Sequence, residues 1–286
     1  MTQLPTNCLT ILDNRALIAV TGADHSDFLQ GLISNDIKKV TAGTVIFAAL
    51  LTPQGKFLFD FFVMPYENGV LIDCDASVLQ PLMKKLRIYK LRSDVTLTDV
   101  SNDLSVVAIY NIATDTPPVL NNMEAFLYID PRKPEAGFRA VLPAAAIQRL
   151  STDDSYAITT KSDYNIHRLK MGLPDGCIDL TPEKSTLLES GYDELNAIDW
   201  DKGCYMGQEL TARTKYRGLV KKRMLEVTIS GPIPDIGADI MQNEKTVGEM
   251  RSSQDGVGMA LIRIDALENT DAMTCQTATV TPLSNG

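Results

Sequence analysis

The sequence predicts a mixed α+β fold followed by a small antiparallel β-barrel. Three observations predict it. The 286 residues suit about two domains. The first 217 interleave amphipathic helices with hairpin-like strand pairs instead of a regular β-α-β series. After Gly218 the texture changes to short strands punctuated by Gly, Pro and Asn. We therefore expect one unit over residues 1–217 and a barrel over 218–286.

Cys8–Leu12 and Ala16–Val20 flank Asp13-Asn14, a turn pair, and read as an opening hairpin. Asp24 can cap a helix in which Phe28, Leu29, Leu32 and Ile33 recur at helical spacing. Strands Thr44–Leu51 and Phe57–Val63 surround Pro53-Gln54-Gly55, and a further strand covers Val70–Asp73. Leu79, Leu82, Met83 and Leu86 mark a second helix, with Pro81 in its first turn. Strands follow at Val95–Asp99, Val106–Tyr110, Ala125–Ile129 and Phe138–Leu142, with a loop at Thr114–Pro118. Helices are expected over Asp163–Met171, ended by Gly172 and Pro174, and over Gly207–Arg217, ended by Gly218. The barrel strands are Leu225–Ile229, Asp239–Met241, Thr246–Met250, Gly258–Ile264 and Ala278–Thr281.

Composition narrows the function. The chain is 44% hydrophobic and 22% charged, with 27 basic and 36 acidic residues, a net charge of −9. That argues against bulk polyanion binding. No apolar stretch approaches the ~20 residues of a membrane span, and the N-terminus lacks signal-peptide character. Cys8, Cys74, Cys177, Cys204 and Cys275 form no Cys-x-x-Cys pair, so reduced thiols in a soluble, cytoplasmic protein are expected. Phosphate-loop and zinc-protease motifs are absent, and His25 and His167 stand in neither triad nor metal-ligand spacing.

One segment carries chemistry. In Asp199 through Gly218, Cys204 lies between Gly203 and Tyr205, on a turn leading into a helix that Gly207 helps begin. A thiol near a helix N-terminus feels the positive end of the macrodipole, which favours its thiolate. From Asp201 to Arg223 there are seven basic and two acidic residues, a local +5 that suggests an anionic ligand or partner. A solvated helix face and a small buried thiol are the bland alternatives.

Lys202-Gly203-Cys204-Tyr205-Met206-Gly207-Gln208-Glu209, followed by Ala212-Arg213, resembles the Lys-Gly-Cys-Tyr-x-Gly-Gln-Glu signature of YgfZ-type folate-binding, iron–sulfur cluster assembly proteins, whose mitochondrial relatives share it. The likeness extends through Leu188-Glu189-Ser190, Asn196-Ala197-Ile198 and Phe28 through Asp36, and more loosely over most of the chain. It implies the fold of the glycine cleavage T-protein: two α+β lobes, one discontinuous, around a central folate channel, plus the barrel. By the same resemblance, Glu189 would meet the pterin of a tetrahydrofolate, with Arg168 and Asp36 as further contacts. Cys204 would be a cluster ligand shared with an A-type scaffold partner, and the other four cysteines structural. Lys202 and Arg213 would bring positive charge to the thiolate or the folate tail. Gly203 and Gly207 would permit the turn, with Tyr205 in the signature and Gln208 and Glu209 bracing it.

The resemblance thus implies an assembly factor, using a transient [2Fe–2S] cluster, with no membrane and no direct nucleic-acid contact. A folate-dependent aminomethyl transferase is the alternative. Leu71 through Pro81 lacks the Lys-Asp pair of that enzyme, with Gln80 or Pro81 at the acid and Asp73 or Asp75 as substitutes only after rearrangement. A tRNA-modification role would act through iron–sulfur enzymes.

Overall fold

The computed structural model describes residues 4–112, 117–120, 123–150 and 152–283. Most of the expected Thr114–Pro118 loop lies outside them. In chain order the first part contains β1 (Cys8–Ile11), β2 (Arg15–Thr21), α1 (His25–Gln30), β3 (Ile46–Leu51), β4 (Phe57–Tyr66) and β5 (Gly69–Asp75). Then come α2 (Leu79–Lys90), β6 (Thr96–Asp99), β7 (Leu104–Tyr110), β8 (Phe126–Ile129), β9 (Phe138–Pro143), α3 (Ile147–Leu150), β10 (Ala157–Thr159) and α4 (Lys161–Lys170).

These strands build two five-stranded sheets, ordered β3-β4-β5-β2-β6 and β10-β1-β7-β9-β8. The opening hairpin does not form. β1 pairs with β7 and β10, whereas β2 pairs with β5 and β6, so the chain crosses between sheets at Asp13-Asn14. Burial explains this: nearly every residue of both strands is buried, on both faces, and a two-stranded hairpin cannot cover both. Because β1 precedes the whole first sheet and β7 follows it, the second lobe is discontinuous in sequence.

Side chains alternate across each strand. Leu17, Ala19, Phe47, Phe62 and Met64 turn inward to meet Val106, Ala108 and Tyr110 of the second sheet. Ala16, Ile18 and Val20 point outward beneath Phe28, Leu29, Leu82 and Leu86 of α1 and α2. On the far face of the second sheet, Leu9, Val107 and Ile109 pack with Leu150 of α3. Thr160 and Asp163 form a reciprocal capping box at the start of α4.

Residues 171–207 hold neither helix nor strand, yet Leu173, Leu180, Leu187, Tyr192 and Leu195 from this stretch are buried in the central cluster. After α5 (Gln208–Tyr216) the chain enters the barrel: β11 (Lys222–Ser230), β12 (Asp239–Gln242), β13 (Lys245–Gln254), β14 (Val257–Arg263), α6 (Ile264–Leu267), β15 (Met273–Cys275) and β16 (Ala278–Pro282). It closes in the order β11-β14-β13-β12-β15-β16 around its own core. Met224, Val257 and Met259 join the central cluster, which seats the barrel on the lobes.

Arg168 of α4 fastens this junction. Its guanidinium donates to Asn165 Oδ1, Leu173 O, Asp179 Oδ2 at 2.9 Å and Ser252 Oγ of β13. The Asp179 carboxylate also accepts from Asp175 N and Ser252 N and is fully buried. Removing one partner of a buried ion pair typically costs about 3–5 kcal/mol. Arg168→Ala should therefore lower the free energy of unfolding by an amount of that order, read in urea titration as a lowered midpoint at unchanged slope; an unchanged midpoint contradicts the assignment.

Candidate functional site

The signature loop is shaped by two side chains that turn inward. Lys202 Nζ donates to the carbonyl oxygens of Gln30 (2.9 Å), Ile33 (2.8 Å) and Asn35 (2.7 Å), using all three of its protons. Burial pushes its pKa down to about 8, opposed by Asp36 and Asp199. Lys202 therefore does not bring its charge to the thiol; it caps the C-terminal end of α1 and the turn beyond. Asp199 Oδ1 accepts from Asp201 N and Lys202 N, while its Oδ2 holds Lys39 at 2.7 Å. Tyr205 is buried in the central cluster, and Met206 N donates to Gly31 O.

With Lys202 and Tyr205 directed inward, Gly203 and Cys204 are left on the surface. Gln208 braces the turn by accepting from Tyr205 N through its side-chain oxygen at 3.1 Å. Glu209 and Arg213 are exposed on α5, so Glu209 is not a brace. Gly207 is required: its φ is +81° and an added Cβ would stand 2.5 Å from Thr52 O. Gly203 has open space around it and no left-handed backbone, so the tight turn rests on Gly207 alone.

The five thiols differ in setting. Burial raises Cys8 and Cys275, and pushes Cys74 up to about 12. Cys177 is exposed as a residue, but burial of its sulfur and the carboxylates of Asp75, Asp60 and Asp175 push it up to about 12.

A second site lies between the sheets: a cavity of about 210 Å³ lined by Asp60, Phe47 and Phe62 and by a cluster of cations. At its wall the fully buried Asp73 accepts from Arg15 Nε (2.6 Å) and from Arg139 Nη2 (2.8 Å), which joins β2 and β5 of one sheet to β9 of the other. Arg132 holds Asp130 through two nitrogens. The guanidinium carbons of Arg139, Arg132 and Arg15 lie 4.4, 4.9 and 5.8 Å from the Phe62 ring centroid. Asp60 Oδ2 accepts from Tyr192 OH at 2.6 Å, and burial pushes its pKa up to about 6 against that bond. Asp60 Oδ1 has no protein donor among the described residues.

The expected folate contacts are dispersed. Arg168 lines the cavity, but its donors are engaged in the barrel junction. Glu189 is half-buried beside Thr186 Oγ1 (3.0 Å), its backbone oxygen held by Met224 N, and does not line the cavity. Asp36 accepts from Gln30 Nε2 and Lys38 N in the turn that cages Lys202. Cys204 does not line the cavity either, so thiol and cavity are two sites.

Residues 221–285 match the family described as CAF17, C-terminal beta-barrel domain. The mouse mitochondrial iron-sulfur cluster assembly factor IBA57 is 32% identical, over 90% of this chain and 78% of its own. Its human counterpart is 31% identical, over 88% and 76%. This chain belongs to the IBA57 family. The IBA57 homolog of Mycosarcoma maydis is 35% identical over 77% of this chain, which spans only 57% of that longer protein. The aminomethyltransferase T of the Bartonella henselae glycine cleavage system superposes with a TM-score of 0.78 at 15% identity, over 97% of this chain and 85% of its own, and so shares the fold.

The resemblance to YgfZ-type proteins is thereby narrowed to the IBA57 branch. The cytoplasmic expectation is corrected, because the mouse, human and Mycosarcoma relatives are mitochondrial by name.

Sequence reading missed Asp60, Asp130, Arg132 and Arg139. A usable signal existed, since Asp60 interrupts Phe57 through Phe62 and Arg139 sits within Phe138 through Leu142. A charge inside an apolar strand has to be paired or functional.

Two predictions follow from the geometry. Alkylation at neutral pH should fall on Cys204 first, because it is exposed, whereas Cys8, Cys74 and Cys275 are buried and burial pushes the Cys177 thiol up to about 12; equal rates at all five would contradict this. Asp60 has a folded pKa above its unfolded value, so the stability it contributes is present below about pH 4 and lost as pH rises through about 6. Thermal midpoints of Asp60→Asn should lack this decline across pH 4–6, and an identical profile for variant and wild type would refute the assignment.

Proposed function

We propose that this chain works in iron–sulfur cluster assembly by lending the Cys204 thiolate as one ligand to a [2Fe–2S] cluster shared with an A-type scaffold protein. The observation that carries the reading is the contrast among the thiols. Cys204 is presented on the outside of a tightly fastened loop, while Cys8, Cys74, Cys177 and Cys275 have raised pKa values. A two-iron cluster takes four thiolate ligands. Cys204 stands alone on its loop, with the other cysteines in β1, β5, the turn after Asp175 and β15, so the remaining ligands come from the partner. The cluster is cargo for this chain. The names of the mouse and human relatives support the assembly role.

The central cavity is the proposed place for a reduced folate, and its residues fit the ring of that molecule. The free Asp60 Oδ1 is an acceptor for ring and amino N–H donors, and Phe47 and Phe62 provide flat walls. At about 210 Å³ the cavity is below the ~300–1,000 Å³ of pockets that enclose drug-sized ligands, so the glutamate tail would extend outward past Lys161. Bound folate would supply a one-carbon carrier.

One observation favours a second reading, a one-carbon transferase. Asp60, with its pKa near 6, is suited to proton transfer near neutrality. Asp73 and Asp75 are not, since Asp73 binds Arg15 and Arg139 and Asp75 holds Asn14 and Ser77.

Anaerobic reconstitution with iron, sulfide and an A-type scaffold tests the leading reading. The wild-type complex should gain a [2Fe–2S] absorption spectrum that Cys204→Ser fails to support. Equal cluster content in the Cys204→Ser complex would contradict it.

A further inference from the structure

Helix α2 turns a row of cations outward. Leu82, Met83 and Leu86 pack on the outer face of the first sheet. Lys84, Arg87 and Ile88, at i, i+3 and i+4, therefore share the opposite face and are exposed. Lys85 and Lys90 flank them half-buried, and Leu91 and Arg92 stand exposed just past the helix end. From Lys84 to Arg92 the chain holds five cations and no acid. Among the described residues none of the five has a carboxylate within ion-pair distance.

The helix macrodipole accounts for Arg87 and Lys90, which lie in the last turn. It does not account for Lys84 and Lys85, nor for two aliphatic side chains among the charges. Ile88 is 57% exposed and Leu91 87%. Leu91 is held at φ +45°, where residues other than glycine are rarely found, so the turn holds it out at a conformational cost. Two carboxylates border the patch: Asp24 lines a shallow hollow with Leu91, Arg92 and Ser93, and accepts from Asp94 N. Counting both, the patch stays at +3 on a chain of −9.

That charge complements an anionic phospholipid surface, where cations sit among the headgroups and aliphatic side chains pass between them. A nucleic acid would leave Ile88 and Leu91 without a role, since neither can stack on a base. A protein partner would find no aromatic anchor here, because Tyr89 packs against the core. With Leu82, Met83 and Leu86 already in the core, contact is shallow and reversible and requires no spanning segment. No helix among the described residues is long and apolar enough to cross a membrane. The patch lies at the start of α1, where Asp24 N donates to Asp94 O, whereas the thiol loop is fastened at the other end through Gln30 and Gly31.

We propose that Lys84 through Arg92 is a peripheral docking site for an anionic phospholipid bilayer, with Ile88 and Leu91 entering between the headgroups. This departs from the absence of a membrane implied by the resemblance, and it is independent of the cluster-sharing reading.

The test is flotation of the full chain with vesicles of phosphatidylcholine alone or with ~30% phosphatidylglycerol, at about 0.05 and about 0.3 M NaCl. The chain should bind the anionic vesicles, less at the higher salt, and not the neutral ones. The triple variant Lys84→Glu, Arg87→Glu, Arg92→Glu should bind roughly tenfold or more weakly, with an unchanged thermal midpoint showing that it folds. The double variant Ile88→Ser, Leu91→Ser should weaken binding at both salt concentrations. Leu91→Trp should gain a blue-shifted emission on anionic vesicles that the wild type, with Trp200 alone, does not show. No binding to anionic vesicles overturns the proposal, as does undiminished binding by the triple variant or an unshifted Leu91→Trp emission. It is also overturned if Arg213→Glu with Arg217→Glu on α5 abolishes vesicle binding and the α2 reversals do not. Binding of a tRNA that needs the α2 cations, without vesicle binding, would replace the bilayer by a nucleic acid and overturn it likewise.

Discussion

The Lys202 ammonium, enclosed by three carbonyl oxygens at the end of α1, is the constraint on which the thiol loop depends. A buried cation is costly unless every donor is met, and here each proton has an acceptor. The lowered pKa shows that the carbonyls and nearby carboxylates offset the desolvation only in part. The loop accepts that cost and gains direction from it. With Lys202 and Tyr205 pointing in, and Gly207 pressed against the β3–β4 turn, the chain between them can only bulge outward. Gly203 and Cys204 are exposed because Lys202 and Tyr205 on either side of them are buried.

The cavity follows the same logic at larger scale. Asp73 joins arginines from both sheets, so the ion network that walls the cavity also ties the two lobes together. Breaking it would loosen the scaffold and the site at once. Asp60 stands apart from that network, bound by a phenol in place of a guanidinium, and burial pushes its pKa up to about 6. A fold that keeps its thiol outside and its cavity inside can separate the holding of a small molecule from contact with another protein.

Periodic elements were readable from the sequence, and directions of long side chains were not. The helix at Gln208–Tyr216 and the barrel strands announce themselves through glycine punctuation and alternation. Strand pairing did not, because Asp13-Asn14 serves as well for a crossing between sheets as for a hairpin. The stretch 171–207 has no period to detect, yet its leucines and Tyr192 fill the centre. Lys202 and Arg168 look like ligand-binding cations in a linear motif; in the fold each reaches across to distant carbonyls and carboxylates that spacing does not reveal. The exposure of Cys204 is a consequence of those same long-range contacts.

The most direct measurement is a structure of this chain in complex with an A-type scaffold and its [2Fe–2S] cluster. The account predicts an iron ligated by Cys204 Sγ, with Lys202 still closed on the three carbonyls of Gln30, Ile33 and Asn35. A cluster held entirely by scaffold thiols, with Cys204 free in solvent, would contradict it.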